Sequence, residues 1–362
     1  MFVTSTLGRY FAKQFVFTTL AVLLGVYLLV LVIDYIELSR MTANVASASA
    51  TAVARVSFLR IPQIIERLLP FCVQIGTMVC YLALSRRLEL VVARSSGISA
   101  WQFVSPALLG ALALGVIATT LYSPLSAAMQ EQAIIEENSL YPDRASLRNA
   151  SGFWLNQVTP EGQSIINAAN SQAEGTRLGG VSVFRFDTDN RFVERIEAAE
   201  AELEAGFWRM KNVRRYRVNE LVSDEDSYRL TTNLTREQVR ETFVVPESVS
   251  FWQLPDYIAT SANSGLATAG YRYQYEKLKA QPFMLVAMVF LAASVSLRFF
   301  RLGGVQTMVL SGIGGGFLLY VLSKVTEDLS KAELMHPVAA AWLPVFVGGL
   351  AGFLVLLNQE DG

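Results

Sequence analysis

Six long apolar runs constrain this chain more than any other feature. They lie at 15–36, 62–84, 100–122, 281–299, 303–323 and 338–358, three on each side of a mostly polar stretch. Each approaches or exceeds the ~20 apolar residues that an α-helix needs to cross a ~30 Å hydrocarbon layer. Lipid offers the backbone no hydrogen-bond partner, so such runs span as helices that satisfy their own N–H and C=O groups. The expected fold is a polytopic α-helical membrane protein with six transmembrane helices, three plus three, around one inserted domain.

Composition agrees. Hydrophobic residues are 52% of the chain and charged residues only 17%, below the ~25% of soluble domains. The 30 Lys+Arg and 31 Asp+Glu nearly cancel, so there is no basic field for nucleic acid. Cys72 and Cys80 share the second run. Eight residues apart on one helix, they are ~12 Å apart along its axis, too far to bridge. The first run is too long for a signal-sequence core and is followed by charges, so it is expected to stay in the membrane.

The connections are charged asymmetrically. Arg9 and Lys13 precede the first run, Arg86, Arg87 and Arg94 follow the second, and Arg298 and Arg301 follow the fourth. If the helices alternate, these cations share one side, which the positive-inside rule makes cytoplasmic. The 37–61, 123–280 and 324–337 connections then lie opposite, in the periplasm of a bacterium. The expectation is a multi-pass inner-membrane protein with both termini cytoplasmic. Its parts are residues 1–122, with helices 1–3 and a short cytoplasmic helix near 86–98, a periplasmic domain at 123–280, and helices 4–6 at 281–362.

After Tyr141-Pro142 the hydrophobic period changes to two. Short strands are expected at 153–155, 164–166, 181–186, 191–196, 207–213, 215–218 and 228–232. Gly179-Gly180, Asp189-Asn190 and Gly206 are turn signals. Closely spaced short strands indicate an all-β sandwich or jelly roll. The Glu197–Glu204 stretch reads as a solvated edge or turn. Asn149-Ala150-Ser151 and Asn233-Leu234-Thr235 match glycosylation sequons, a pattern with many false positives. Tyr271, Tyr273 and Tyr275 suit an interfacial aromatic belt.

Several chemistries are disfavoured. His336 is the single histidine, which excludes a multi-His metal site and disfavours Ser–His or Cys–His catalysis. No G-x-x-x-x-G-K-[ST] occurs, so the chain has no P-loop. No catalytic residue, metal ligand or cofactor is assigned. Gly312, Gly314, Gly315 and Gly316, and Gly348 with Gly352, read as small-residue positions for close helix packing.

The segment Arg86–Ser99 carries the strongest functional signal. Arg86, Glu89 and Ala93 or Arg94 can share a helix face, Leu88, Val91 and Val92 lie on or near another, and Ser96-Gly97 ends the helix. Such a helix either docks into a groove of a soluble partner or rests on the headgroups.

At this point the chain resembles the YjgP/YjgQ (LptF/LptG) permease family of the lipopolysaccharide exporter, most closely its LptG branch. The likeness rests on Arg9-Tyr10, Arg87-Leu88-Glu89-Leu90-Val91-Val92 with Ser96-Gly97, Gly179-Gly180-Val181-Ser182-Val183, Thr232-Asn233-Leu234-Thr235, Tyr271-Arg272 and Gly316–Leu322. It covers nearly the whole chain. It implies a non-enzymatic transmembrane subunit of an ABC transporter, and a jelly-roll periplasmic domain. The subunit extracts lipopolysaccharide from the outer leaflet of the inner membrane and passes it to a periplasmic bridge toward the outer membrane. The implied partners are an LptF-type permease, an LptB-type ATPase dimer that binds ATP and Mg, and an LptC-type bridge protein.

The resemblance also assigns residues. Arg87, Glu89, Arg94 and Gly97 belong to the coupling helix on the ATPase. Leu28, Val32, Phe317, Leu318 and Tyr320 line the lipid cavity, though Phe317 and Tyr320 read equally as helix-packing residues. Asp34, Glu37 and Arg40 stand where a lipid gate falls, or are ordinary headgroup-level charges. Phe153, Trp154, Phe184, Phe186 and Trp208 form a periplasmic lipid slot, or a closed core. LptG proteins can carry cations at the outer end of the first helix and after the third. Here those stretches hold Asp34, Glu37, Glu131, Glu136 and Glu137, with Arg40 the nearest cation. Two other readings stay open: a mechanotransmitting ABC membrane subunit, and a membrane enzyme acting on lipid-linked sugars.

Overall fold

A computed structural model describes residues 6–42, 49–140, 153–159, 162–172, 176–189, 191–217, 222–235, 239, 246–263, 268–300 and 304–361. Tyr141-Pro142, the Asn149 sequon, Val218 and Arg301 lie outside them, as do the side chains of Phe153, Trp154 and Arg298. Contacts divide the chain into two bodies. One is residues 1–133, 250–252 and 269–362; the other is residues 134–249 and 253–268.

Among the described residues, six helices are long and apolar enough to cross a membrane. They are α1 (Thr6–Thr42), α2 (Ala50–Arg86), α4 (Ala100–Ile117) continued by a π-helical turn (Ala118–Tyr122) into α5 (Ser123–Leu140), α7 (Ala269–Phe300), α8 (Val305–Lys331) and α9 (Pro337–Asp361). The short α3 (Glu89–Ser95) joins α2 to α4. Several helices outrun their apolar runs: α1 and α2 have 37 residues each. The run marks only the lipid-crossing part, because a helical ladder continues into polar sequence until a cap or breaker stops it.

α7 is the hub, packing against α2, α4, α8 and α9. A buried cluster built from Phe11, Phe15, Val73, Leu84, Phe103 and Val289 fills the space between α1, α2, α4 and α7. Glycines permit close approach. A Cβ on Gly115 would lie 2.4 Å from Pro282 Cα, and one on Gly352 would lie 2.7 Å from the α7 backbone at Leu291. Of the glycine cluster in α8, Gly312 meets Met78 and Gly316 meets Gln74, whereas Gly314 and Gly315 face open space.

Breaks in the helical ladders are bridged from neighbouring elements. Pro282 has no N–H to give Leu278, its i−4 partner. Thr119 Oγ1, on the π turn, donates to Leu278 O at 3.0 Å instead. Thr120 O, four residues before Pro124, accepts from Trp252 Nε1 at 3.2 Å. Tyr122 OH ties the same turn to α2 by donating to Pro62 O at 2.9 Å.

The second body contains an antiparallel sheet of six strands in sequence order. They are β1 (Phe153–Thr159), β2 (Gly162–Gln172), β3 (Arg177–Phe186), β4 (Phe192–Glu204), β5 (Phe207–Arg217) and β6 (Ser223–Thr231), followed later by α6 (Leu254–Asn263). Two expectations are corrected. Residues 207–217 form one strand with Asn212 at φ 52, not two strands. The Glu197–Glu204 stretch lies within β4, paired on both sides, rather than at an edge or turn. Its Ala198, Ala201 and Leu203 point inward, while Glu202 pairs with Arg177 and Glu204 with Arg209. Alternation with the small Ala hid a buried face.

Side chains join the first strand to the end of the last. Gln157 of β1 donates Nε2 to Thr231 O at 3.1 Å, and Thr232 Oγ1 donates to Gln157 Oε1 at 2.6 Å. Leu155, Ile166, Val183, Ile196, Trp208, Met210, Leu234 and Val239 share the enclosed core.

Candidate functional site

α3 starts abruptly. The α2 ladder runs through Arg86, so Arg86 is not part of the short helix as expected. Leu88 at φ 61 breaks the path, and Glu89 opens α3. Gly97 at φ 81 follows the Ser96 cap, a left-handed position that glycine adopts without strain. Leu90 and Ala93 are buried against the helices. Leu88, Val91 and Val92 are 59%, 46% and 62% exposed, leaving an apolar strip outside the core. Arg94 lies over the Phe103 ring at 5.9 Å. Arg87 and Glu89 both neighbour Tyr10 of α1. Tyr10 belongs to a motif noted in the sequence, but only the fold reveals that it meets Glu89.

The expected cavity residues lie on two helices. Leu28 and Val32 are exposed on α1, and Phe317, Leu318 and Tyr320 on α8. Tyr320 also packs against Phe71 at 5.6 Å. α1 and α8 are the least covered spans, with 11% and 22% of their apolar windows buried against 61% for the fourth span. Within the chain α1 packs on α2 and α4, and α8 on α7, α9 and α2. At the end of α1, Arg40 pairs with Glu37 at 3.4 Å. Asp34 carries a buried carboxylate oxygen without a hydrogen bond.

The β-domain separates the aromatic residues expected to share a slot. Trp208 is on the inner face, fully buried, paired across the ladders with Leu203 and Leu230. Phe184 takes the opposite face, with Arg195 over its ring at 5.6 Å. Phe186 meets Phe192 edge-on at 5.9 Å. Pleat alternation explains the split: Val183 and Arg185 point inward, so Phe184 and Phe186 cannot.

One end of the inner face is ionic. Glu194, buried, accepts hydrogen bonds from Arg185 at 2.7 Å, Arg215 at 2.8 Å and Arg217 at 3.1 Å. Burial alone would push its carboxyl up, but the bonds from Arg215, Arg217 and Arg185 outweigh that and hold it below the usual carboxylate range. Arg215 also bonds Glu225 at 3.0 Å and lies over the Tyr228 ring at 4.7 Å.

Three buried or half-buried polar groups were missed in the sequence. Gln74 of α2 donates to Gly312 O of α8 at 2.7 Å. Glu66 of α2 faces Ser123 and Ser126 and feels the charge of Lys277. Glu327 of α8 binds Lys331 at 2.8 Å, Lys324 at 3.2 Å and Lys277 of α7 at 3.4 Å. For Gln74 and Glu66 the signal was available: a polar side chain inside an apolar run.

These features define a class: a multi-pass membrane protein with an inserted antiparallel β-domain, two poorly covered apolar spans and no P-loop in its sequence. Residues 9–358 match the model of the family described as lipopolysaccharide export system permease LptF/LptG, and the chain belongs to that family. It is 22% identical over 347 residues to the lipopolysaccharide export system permease protein LptG of Escherichia coli, covering 93% of this chain and 94% of the relative. The Haemophilus influenzae protein of the same name is 22% identical over 368 residues, covering 99% of each. The chain is thus a lipopolysaccharide export permease by family, and its six apolar helices fit a multi-pass inner-membrane protein.

Proposed function

We propose that this chain forms one half of the membrane chamber of an ABC-type lipopolysaccharide exporter. A related LptF-type permease supplies the other half, an LptB-type ATPase dimer binds ATP and Mg on the cytoplasmic side, and an LptC-type protein receives the lipid in the periplasm. Positive connections orient α3 and both termini toward the cytoplasm and the β-domain toward the periplasm. One observation carries the reading: α1 and α8 leave broad apolar faces, including Leu28, Val32, Phe317 and Leu318, uncovered by their own chain.

Such walls accept acyl chains because the chains move from bilayer to chamber without meeting water, which would cost ~0.8 kcal/mol for each CH₂. ATP-driven closure of the partner reaches these walls through α3. Lipopolysaccharide photocrosslinking from Phe317 in the assembled complex, together with Glu89→Lys, tests the reading. Crosslinks from Phe317, and loss of ATPase association or of coupled lipid release in Glu89→Lys, are expected. Absence of crosslinks with normal export overturns the chamber.

A second reading is a mechanotransmitting ABC membrane subunit, which moves a periplasmic partner without passing substrate through itself. It is favoured by the filled inner face, where Trp208, Met210 and Val183 are fully buried.

A further inference from the structure

The chain passes between its two bodies along an outgoing and a returning route. α4, the π-helical turn and α5 form one unbroken helix, whose first part belongs to the first body and whose residues 134–140 belong to the second. The return is interrupted: residues 250–252 belong to the first body, 253–268 to the second, and α7 to the first again. That short visit ends on Trp252, whose Nε1 donates to Thr120 O, on the π turn of the outgoing helix, at 3.2 Å. Its neighbour Phe251 stacks on Tyr275 of α7 at 5.5 Å. A single hydrogen bond thus ties the outgoing helix to the returning connection inside the first body.

The π turn makes that bond possible. Ser123 N donates to Ala118 O, five residues back, so the ladder is wider here than in an α-helix. Pro124 has no N–H for Thr120 O, and that carbonyl takes its donor from outside the helix. Neighbouring residues of the turn carry bonds of different kinds. The bond from Thr119 Oγ1 to Leu278 O is buried, and breaking it leaves a carbonyl unsatisfied. Trp252 is 62% exposed, so water can replace its N–H at Thr120 O with little net cost. The first bond is a fixed pivot on α7; the second is a latch that can be released. A tryptophan of the aromatic belt needs no such bond, because headgroups and water satisfy its N–H.

We propose that Trp252 is a positioning residue for export: its hydrogen bond to Thr120 O makes α5 and the returning connection move together, so that a displacement of the membrane helices reaches the β-domain through both. With the bond released, α5 turns about the Thr119–Leu278 pivot and leaves the returning connection behind. The inference rests on the reading that a partner's ATP hydrolysis drives this chain. It also gives roles to Trp252 and Pro124, which that reading left unused.

The test uses the full chain in the assembled complex, in proteoliposomes, with lipopolysaccharide as the probe. Trp252 is replaced by 3-benzothienylalanine, which keeps the ring shape and lacks the N–H. Lipid released per ATP hydrolysed is expected to fall at least threefold, with ATP hydrolysis itself, crosslinking from Phe317 and the melting temperature unchanged. A belt anchor or a packing residue would leave that ratio where it was. Pro124→Ala gives Thr120 O a backbone donor and so dismisses the indole. It is expected to lower the ratio to the same extent, and adding the benzothienyl change to it should lower the ratio no further. A smaller fall in either single variant, or additive falls in the double variant, overturns the inference while leaving the chamber intact. A drop of several degrees in the melting temperature of the benzothienyl protein reveals a structural role for the indole and overturns it too. Absent Phe317 crosslinks in the parent overturn the chamber instead.

Discussion

Gln74 Nε2 reaches from the middle of α2 to the carbonyl of Gly312 in α8 at 2.7 Å, and one turn further along α8 a Cβ on Gly316 would lie 2.0 Å from Gln74 Oε1. The absence of a side chain at Gly316 leaves room for the amide. α8 is otherwise among the least covered spans, so this contact helps to set where its apolar face points.

The pair should behave as a unit. Gly316→Ala displaces the amide, whereas in a Gln74→Ala background the three atoms nearest the new Cβ, all of the Gln74 amide, are gone. Polar contacts between membrane helices are worth roughly 0.6–2 kcal/mol. Each single variant is expected to lower stability by about 1 kcal/mol, with the double variant clearly less than the sum. Thermal unfolding of the four proteins in detergent measures this. Additivity would separate the two residues.

Thr119 and Pro282 form a second testable relationship. Thr119 Oγ1 supplies the hydrogen bond to Leu278 O that Pro282 withholds. Thr119→Val should cost about 1–2 kcal/mol, the desolvation penalty of an orphaned carbonyl. Adding Pro282→Ala restores a backbone donor four residues on, so the double variant should recover stability relative to Thr119→Val alone. A further loss in the double variant would show that Thr119 acts by packing instead.

Acid should loosen the β-domain through Glu194. Its carboxyl is held low in the fold by Arg215, Arg217 and Arg185, against the upward push of burial. A depressed folded value means that the contribution is complete above the unfolded pKa, near ~4.3, and disappears as pH falls through the folded value. Hydrogen exchange in β3–β5 should therefore be insensitive to this group between about pH 6 and 8, with protection declining below about pH 4. Glu194→Gln should flatten the acid limb. It should also weaken the neutral-pH state, toward the low end of the ~3–5 kcal/mol cost of breaking a buried pair, because Arg217 is partly open to water. An unchanged acid limb would assign the transition to other carboxylates.

The six spans were legible because a membrane helix must be apolar over a fixed length, and that requirement is written in consecutive residues. The strands of the insert were legible where Val, Ile and Phe alternate with polar residues, as at Val181–Phe186. They were not legible at Glu197–Glu204, where small Ala residues occupy the inner face. The separation of the aromatic residues grouped in the expected slot was hidden for a related reason. Aromatic content singled out Phe184 and Phe186 with Trp208, but only the β3 register reveals that they point away from it. Contacts such as Gln157 with Thr232, or Gln74 with Gly312, join residues 75 and 238 positions apart. They are products of the fold, and no local pattern announces them.

α3 offers the most direct test of how this chain meets a partner. Val92 is 62% exposed and Val91 46%, so Val92→Glu disturbs nothing in the core and should change the chain's own stability by no more than ~0.5 kcal/mol. If the apolar strip enters a groove on an ATPase, the new carboxylate must lose water there. A penalty of ~1.4 kcal/mol or more lowers affinity at least tenfold. Co-purification of a nucleotide-binding subunit with Val92→Glu should fall accordingly, while the melting temperature of the chain alone stays put. Leu90→Glu is the contrasting control: Leu90 is 4% exposed, and its replacement should unfold the α2–α4 junction itself. Were Val92→Glu to retain the subunit at parental affinity, the proposed docking of α3 would be overturned in favour of a helix that rests on the headgroups.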